Sequence, residues 1–219
     1  MNFDNNIKIL ESEIKKLFSN DKSHDIYHLK RVMNIAFEIQ KIEGGDKEII
    51  AYASLLHDIH RMMQSNSGKY ATPEESLPEV IKILKKIKIS KEKFDHVLKC
   101  IEYHEDYTFG VGRKADDIET KILQDADRID AIGALGVARC FYYSGKYSQL
   151  MYVPEVPFDG KKYDASEMID VSSIHHFKRK LLNLHKGMNT KTGKKLARQR
   201  HDFMILFLKE FFAEWDGKR

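Results

Sequence analysis

The sequence predicts an all-α protein. Apolar residues recur at spacings of three and four along most of the chain, strict alternation over six or more residues is hard to find, and cap and stop signals bracket the apolar runs. Only 4 prolines interrupt 219 residues, so long helical segments are affordable.

Taken in order, Ile7, Leu10, Ile14 and Leu17 form one helical stripe, and Leu29, Val32, Ile35, Ala36 and Ile39 form a second that stops at Gly44 and Gly45. A third helix is expected from Lys47 to about Asp58. Thr72, Pro73 and Glu75 have capping-box spacing with proline in the first turn, and Pro78 is expected to break or restart that helix, leaving Glu79 to Lys88 as the next. Ser90 caps a helix from Lys91 to His104, and Ile118 to about Phe141 reads as one longer helix with Gly133 and Gly136 inside it. Ser144 to Ala165 has no helical period and reads as a long loop, a feature often functional. Helices resume from about Ser166 to Lys186, stop at Gly187, and end with Lys194 to Trp215, where Phe203, Phe207, Phe211 and Trp215 share a stripe. The expectation is a single-domain helical bundle of about eight or nine helices spanning 1–219.

Composition narrows the function classes. Aromatics make up 11 % of the residues and 37 Lys+Arg stand against 33 Asp+Glu, which excludes an intrinsically disordered chain. The longest apolar run, Phe203 to Leu208, is far short of the roughly 18 residues a membrane span needs. The start of the chain lacks the apolar core of an export signal, and Cys100 and Cys140 have no CxxC spacing, so a cytoplasmic protein with free buried thiols is expected. Basic runs at Lys82 to Lys88, Lys178 to Lys180 and Lys191 to Arg200 lack interleaved aromatics and read as solvated helix faces, which disfavours nucleic acid as a partner. A homodimer through an apolar helix face is compatible with the sequence.

The chemistry-bearing residues are those that place an ionisable group on an apolar stripe. His28 is in register with Val32, Ile35 and Ile39; His57 follows Ile50 and Ala53; Asp127 shares a face with Leu123, Ala131 and Ala134. Buried imidazoles and carboxylates are costly unless paired or metal-bound, so several on one core imply a compensating cation. Two histidines with two carboxylates form a mixed nitrogen and oxygen set that suits Mn, Fe, Co, Ni or Zn better than calcium; Mg stays in the set to be tested. No HExxH, P-loop or G-x-S-x-G pattern is present. His175, His176, His185 and His201 read as surface or packing residues, and Gly110-Val111-Gly112 as a turn.

Ser23-His24-Asp25-Ile26-Tyr27-His28, then Leu55-Leu56-His57-Asp58-Ile59, then Asp125-Ala126-Asp127-Arg128-Ile129-Asp130 resemble the successive motifs of the HD-domain phosphohydrolase superfamily, with an HD core over about 20–140. Asp127 to Arg139, Met188-Asn189-Thr190, Arg198, Arg200 and the Phe-rich end look like its bacterial single-domain branch, which is associated with nucleotide pyrophosphohydrolase activity. The resemblance implies metal ligands at His28, His57, Asp58 and Asp127; Asp125 and Asp130 compete for the last place, and Asp127 is favoured because the family's ligand precedes an Arg-apolar pair. It implies catalytic roles for Asp58 and for His104 near the metal or substrate; Lys30, Arg31 and Arg128 flank the ligands and read either as cations that neutralise phosphate charge or as partners of nearby carboxylates. Glu105 is an alternative base, although it reads as an exposed helix-end residue, and His24 could support the ligands. His60-Arg61-Met62 departs from the family, where acidic residues often follow the His-Asp pair. A bound divalent ion would lower the pKa of a water towards 7 and polarise a phosphoryl oxygen. The implied substrate is a small phosphorylated molecule, a nucleotide, cut to monophosphate and pyrophosphate when a triphosphate; Tyr70, Tyr107, Phe109 or the aromatics of Tyr142 to Tyr152 could stack on its base. The rival readings are a phosphomonoesterase or cyclic phosphodiesterase with the same metal site, and a non-catalytic regulator binding metal or nucleic acid.

Overall fold

The computed structural model describes residues 3–17, 26–105, 115–158 and 170–219. Every regular element among them is helical, as expected, and no helix is long and apolar enough to cross a membrane. The chain divides into two compact units, Met1–Asp127 and Arg128–Arg219.

The first unit contains α1 (Phe3–Leu17), α2 (Ile26–Glu43), α3 (Lys47–Leu56), α4 (Ile59–Ser67), α5 (Pro73–Leu84), α6 (Lys91–Tyr103) and most of α7 (Ile118–Asp130). Helix α3 is its centre: all residues from Ile49 to Leu56 are buried, and it packs against α1, α2 and α6. A helix apolar on every side belongs in the middle of a bundle rather than at its surface. Its start is fixed by Asp46, whose carboxylate accepts the Glu48 and Ile49 amides. Tyr52, the largest of its buried side chains, accepts a hydrogen bond from Asn6 of α1 at 3.0 Å, so its hydroxyl is satisfied inside the core.

Two local expectations fail in this unit. Pro78 does not break its helix; α5 runs unbroken through it. A lost amide bond in the second turn is offset by the complete capping box of Thr72 and Glu75 and by burial of Val80, Ile83 and Leu84 against neighbouring helices. Helix α4, which the sequence reading left without an element, starts directly after the His57-Asp58 pair and ends at Gly68, whose φ of 68° closes it in the left-handed conformation.

The second unit holds the end of α7, then α8 (Gly133–Lys146), α9 (Ser173–His176), a π-helical turn at Phe177–Leu181, α10 (Leu182–Leu184), a 3₁₀ turn at His185–Gly187, and α11 (Lys191–Trp215). The single helix expected from Ile118 to Phe141 is two, broken at Ala131-Ile132. Gly133 has φ +81°, and a Cβ on Gly136 would meet the Ala131 carbonyl oxygen at 2.3 Å, so these glycines permit the break rather than helix packing. Helix α11 packs along α8, with Phe141, Phe177, Phe207 and Phe211 forming an aromatic core whose ring centroids lie about 6 Å apart. Tyr152 packs edge-on against Phe212 and Trp215. His175 is buried and bonded to Ser172 and the Val156 carbonyl, a packing role.

Candidate metal and phosphate-ester site

Asp58 and His57 are adjacent in sequence, and in an unbroken helix adjacent side chains diverge by about 100°. The break between α3 and α4 falls at this pair, with Asp58 at φ −96°, ψ 15°, so both can serve one site. Opposite them, α2 supplies His28 and the end of the first unit supplies Asp127. His28 Nε2 lies 3.2 Å from Asp58 Oδ2 and 3.5 Å from Asp127 Oδ1; His57 Nε2 lies 3.7 Å from a carboxylate oxygen of each aspartate. The four residues singled out in the sequence therefore converge. Asp130 does not join them, because Arg139 binds its buried carboxylate at 2.6 Å, and Asp125, although buried, belongs to none of the clustered ligand sets among the described residues.

The imidazoles continue in a row. His57 and His104 have ring centroids 5.0 Å apart, and His104 and His60 5.3 Å. Each of the three points Nδ1 at the backbone carbonyl three residues earlier: His57 at Ser54, 2.9 Å; His60 at His57, 3.1 Å; His104 at Ile101, 2.6 Å. A carbonyl only accepts, so each Nδ1 carries a proton and each ring directs its Nε2 into the cluster. All three Nε2 atoms are buried and none makes a well-aligned hydrogen bond. Buried imidazole nitrogens crowded beside carboxylates are a costly arrangement that a divalent cation would satisfy, and a backbone carbonyl on the far nitrogen is the usual way of orienting a metal-binding histidine. His28, His57 and Asp127 offer ligand atoms within 4.8 Å of one another, as do His57, Asp58 and His104, so the donor set fits a divalent metal.

Electrostatics agrees with that fit. Burial opposes protonation of His57, but the Asp58 and Asp127 carboxylates outweigh it and hold the imidazole up at about 9. Burial likewise opposes ionisation of Asp127, yet His57 and His28 keep its carboxyl well below the usual range. A proton on His57 is thus the cation that stabilises the metal-free site. His104 goes the other way: burial, then the charge on His57, push it down to about 4, so it is neutral at pH 7.

Glu105 is a correction to the sequence reading. Its side chain is 7 % exposed, not a solvated helix end, and it pairs with Arg61 and, at 3.4 Å, with His60 Nε2. Burial raises its pKa, but Arg61, then His60, more than offset this and bring it down to about 2. The His60-Arg61 sequence that departs from the family pattern therefore has a partner: the basic residues on α4 hold an acidic one from the end of α6. Lys30 forms an ion pair with Glu11 at 2.9 Å, and Arg31 is half-buried on α2. Arg128, in the second unit, donates to the Gly187 carbonyl at 2.6 Å. Tyr70 and Tyr142 are exposed. His24, Tyr107, Phe109 and Gly110-Val111-Gly112 lie outside the described residues.

Comparisons with known proteins point the same way. The HD-domain family profile matches residues 25–132. The Bacillus subtilis protein YpgQ is 32 % identical over 206 residues, covering 93 % of this chain and 91 % of its own. An HD-superfamily hydrolase from Bacillus thuringiensis is similar in structure, with a TM-score of 0.74 and 33 % identity over 98 % of this chain and 99 % of its own. YpgQ in complex with ADP superposes with a TM-score of 0.72 at 28 % identity, covering 98 % of this chain and 97 % of that structure. With the His-Asp pair, His28, Asp127 and the helical fold all in place, the chain belongs to the HD-domain family and is a metal-dependent phosphohydrolase of the HD superfamily.

Proposed function

We infer that the substrate is a nucleotide and that the reaction is hydrolysis of a nucleoside triphosphate to monophosphate and pyrophosphate. The observation that carries the nucleotide reading is the ADP bound by YpgQ, a relative that matches this chain over nearly its whole length. The pyrophosphate-releasing step rests on the likeness of Asp127 to Arg139 and Met188-Asn189-Thr190 to the single-domain branch.

In this reading His28, His57, Asp58 and Asp127 hold the ion, which is one of Mn, Fe, Co, Ni, Zn or Mg. When bound it supplies Lewis acidity and a water of low pKa. Ser54 fixes the His57 ring through Nδ1, so Nε2 is delivered without reorientation. Neutral His104 presents the Nε2 lone pair as a hydrogen-bond acceptor for the attacking water, and Ile101 keeps its ring in place. Glu105, clamped by Arg61 and His60, supplies fixed negative charge behind His104. Arg31, Lys30 and Arg128 are the proposed cations for phosphate charge; for Lys30 this requires release from Glu11. The enzyme is proposed to act as a single HD-type domain over 1–219, as a cytoplasmic protein and as a homodimer.

The test is turnover of nucleoside mono-, di- and triphosphates by chelator-treated protein with each metal restored, beside His57→Ala and Asp58→Asn. Metal-dependent pyrophosphate from triphosphates, lost in both variants, is the expected result. Free phosphate would replace this reading by the phosphomonoesterase one. A folded, metal-loaded protein that turns over no nucleotide would overturn it.

A further inference from the structure

A second group of metal-ligand side chains shares no residue with the His-Asp site and is built on α6 and the start of α7. His96 and Cys100 are four residues apart on that helix and so share one face. Facing them are Asp117, just before α7, and Glu119 in its first turn. His96 Nε2 is 3.1 Å from Asp117 Oδ1 and 3.6 Å from Glu119 Oε2, yet it is buried and aligned for a hydrogen bond with neither. The ligand atoms of His96, Cys100 and Asp117 all lie within 4.8 Å of one another.

From this geometry we propose that His96, Cys100 and Asp117 form a second site for a zinc-like divalent cation, with Glu119 or water as fourth ligand.

The donor chemistry selects the ion. One imidazole, one thiol and one carboxylate are the mixed nitrogen, sulfur and oxygen set that zinc accepts and that magnesium and calcium do not. Tetrahedral zinc draws its ligand atoms to roughly 3.3–3.8 Å from one another, so closure requires movements on the order of 1 Å. The surrounding contacts leave the needed atoms available. Lys99 pairs with Asp116 at 2.6 Å and with Asp117 Oδ2 at 3.2 Å, the oxygen away from His96. The Thr120 amide donates to Asp117 Oδ1 at 2.7 Å, which still leaves that oxygen a lone pair. The Thr120 hydroxyl lies 2.9 Å from Asp117 Oδ2 and 3.4 Å from the sulfur, and the Asp46 amide takes the other Glu119 oxygen at 2.7 Å. Three carboxylates, those of Asp116, Asp117 and Glu119, meet the ammonium of Lys99, the His96 imidazole and Lys121, which reaches the Asp116 carbonyl at 3.3 Å, so a net negative charge is left that a cation would relieve. Binding would displace the thiol proton of Cys100 to solvent as the metal–sulfur bond forms. The ion would then tie α6 to the first turn of α7, the helix that carries Asp127.

Cobalt(II) reports on this site alone, because a cobalt–thiolate bond gives an intense near-ultraviolet charge-transfer band and the ligand sets at the His-Asp site contain no sulfur. Chelator-treated full-length protein is titrated with cobalt(II) without oxygen. The band is expected in the unmutated protein, in Cys140→Ser and in His57→Ala, and is expected to fall by about tenfold or more in Cys100→Ser and His96→Gln. Because Cys100 is buried, His96→Gln, at a partly exposed position, is the decisive variant if Cys100→Ser misfolds. No band from folded protein at stoichiometric cobalt, or a band that survives His96→Gln, would overturn the proposal. Neither outcome depends on turnover at the His-Asp site.

Discussion

Replacing Glu105 by Gln removes one charge from a buried trio and should destabilise the metal-free protein by about 3 kcal/mol at neutral pH. The figure follows from the site: Arg61 and His60 bring the Glu105 carboxyl from 4.5 to about 2 against the opposing effect of burial, and each unit is worth about 1.4 kcal/mol. It agrees with the cost of roughly 3–5 kcal/mol for removing one partner of a buried ion pair, here leaving an Arg61 side chain that is 14 % exposed. The sign sets the pH window. A depressed folded pKa gives stability that is fully present above the unfolded value and lost as pH falls through the folded one. The gap between wild type and Glu105→Gln should therefore hold near 3 kcal/mol from pH 8 to 5 and shrink below about pH 4.5. Urea denaturation of chelated protein across that range measures it. A gap under about 1 kcal/mol at pH 7, or one that widens in acid, would refute the account of Glu105 as a charge held by Arg61 and His60.

The break between α7 and α8 gives a prediction for the second unit. Gly133→Ala forces an L side chain to φ +81° and sets its Cβ 2.9 Å from Arg200 Cγ, so a loss of about 1–3 kcal/mol is expected; Gly136→Ala, which meets a backbone carbonyl, should cost more, and thermal denaturation ranks the two. The cysteines give another. Burial pushes the Cys140 thiol up to about 12 from 9, so at pH 8 the folded protein should react with a disulfide reagent on the order of 1000-fold more slowly than its unfolded form, with the rate still rising as pH increases; fast native labelling of Cys140 would show that the thiol is reachable.

Three of the four ligand candidates were legible because each violates its surroundings, and Asp58 because it completes the His-Asp motif. His28, His57 and Asp127 stand on stripes that otherwise bury Val32, Ile39, Ala53 and Leu123, and a polar residue in that register demands a partner. The partner of Glu105 was not legible, because the signal is spread over α4 and the end of α6, 44 residues apart, and Arg61 looks like any solvated arginine when read alone. His96 was missed for a related reason. Its ligand partners come from α6 and from the residues around the start of α7, and no spacing rule links Cys100 to Asp117.

The helix breaks show the same limit from the backbone side. Apolar residues recur at helical spacing across Ala131 and Ile132, so the apolar pattern alone joins α7 to α8. What breaks the helix is the left-handed conformation at Gly133, and what permits it is the missing Cβ at Gly136, whose space the Ala131 carbonyl occupies. A glycine inside a periodic run can mean close packing or a change of direction, and the two give the same sequence pattern. At His57-Asp58 a break again lies inside an apolar run. There it has a chemical consequence, since only a break lets neighbouring residues point an imidazole and a carboxylate at one ion.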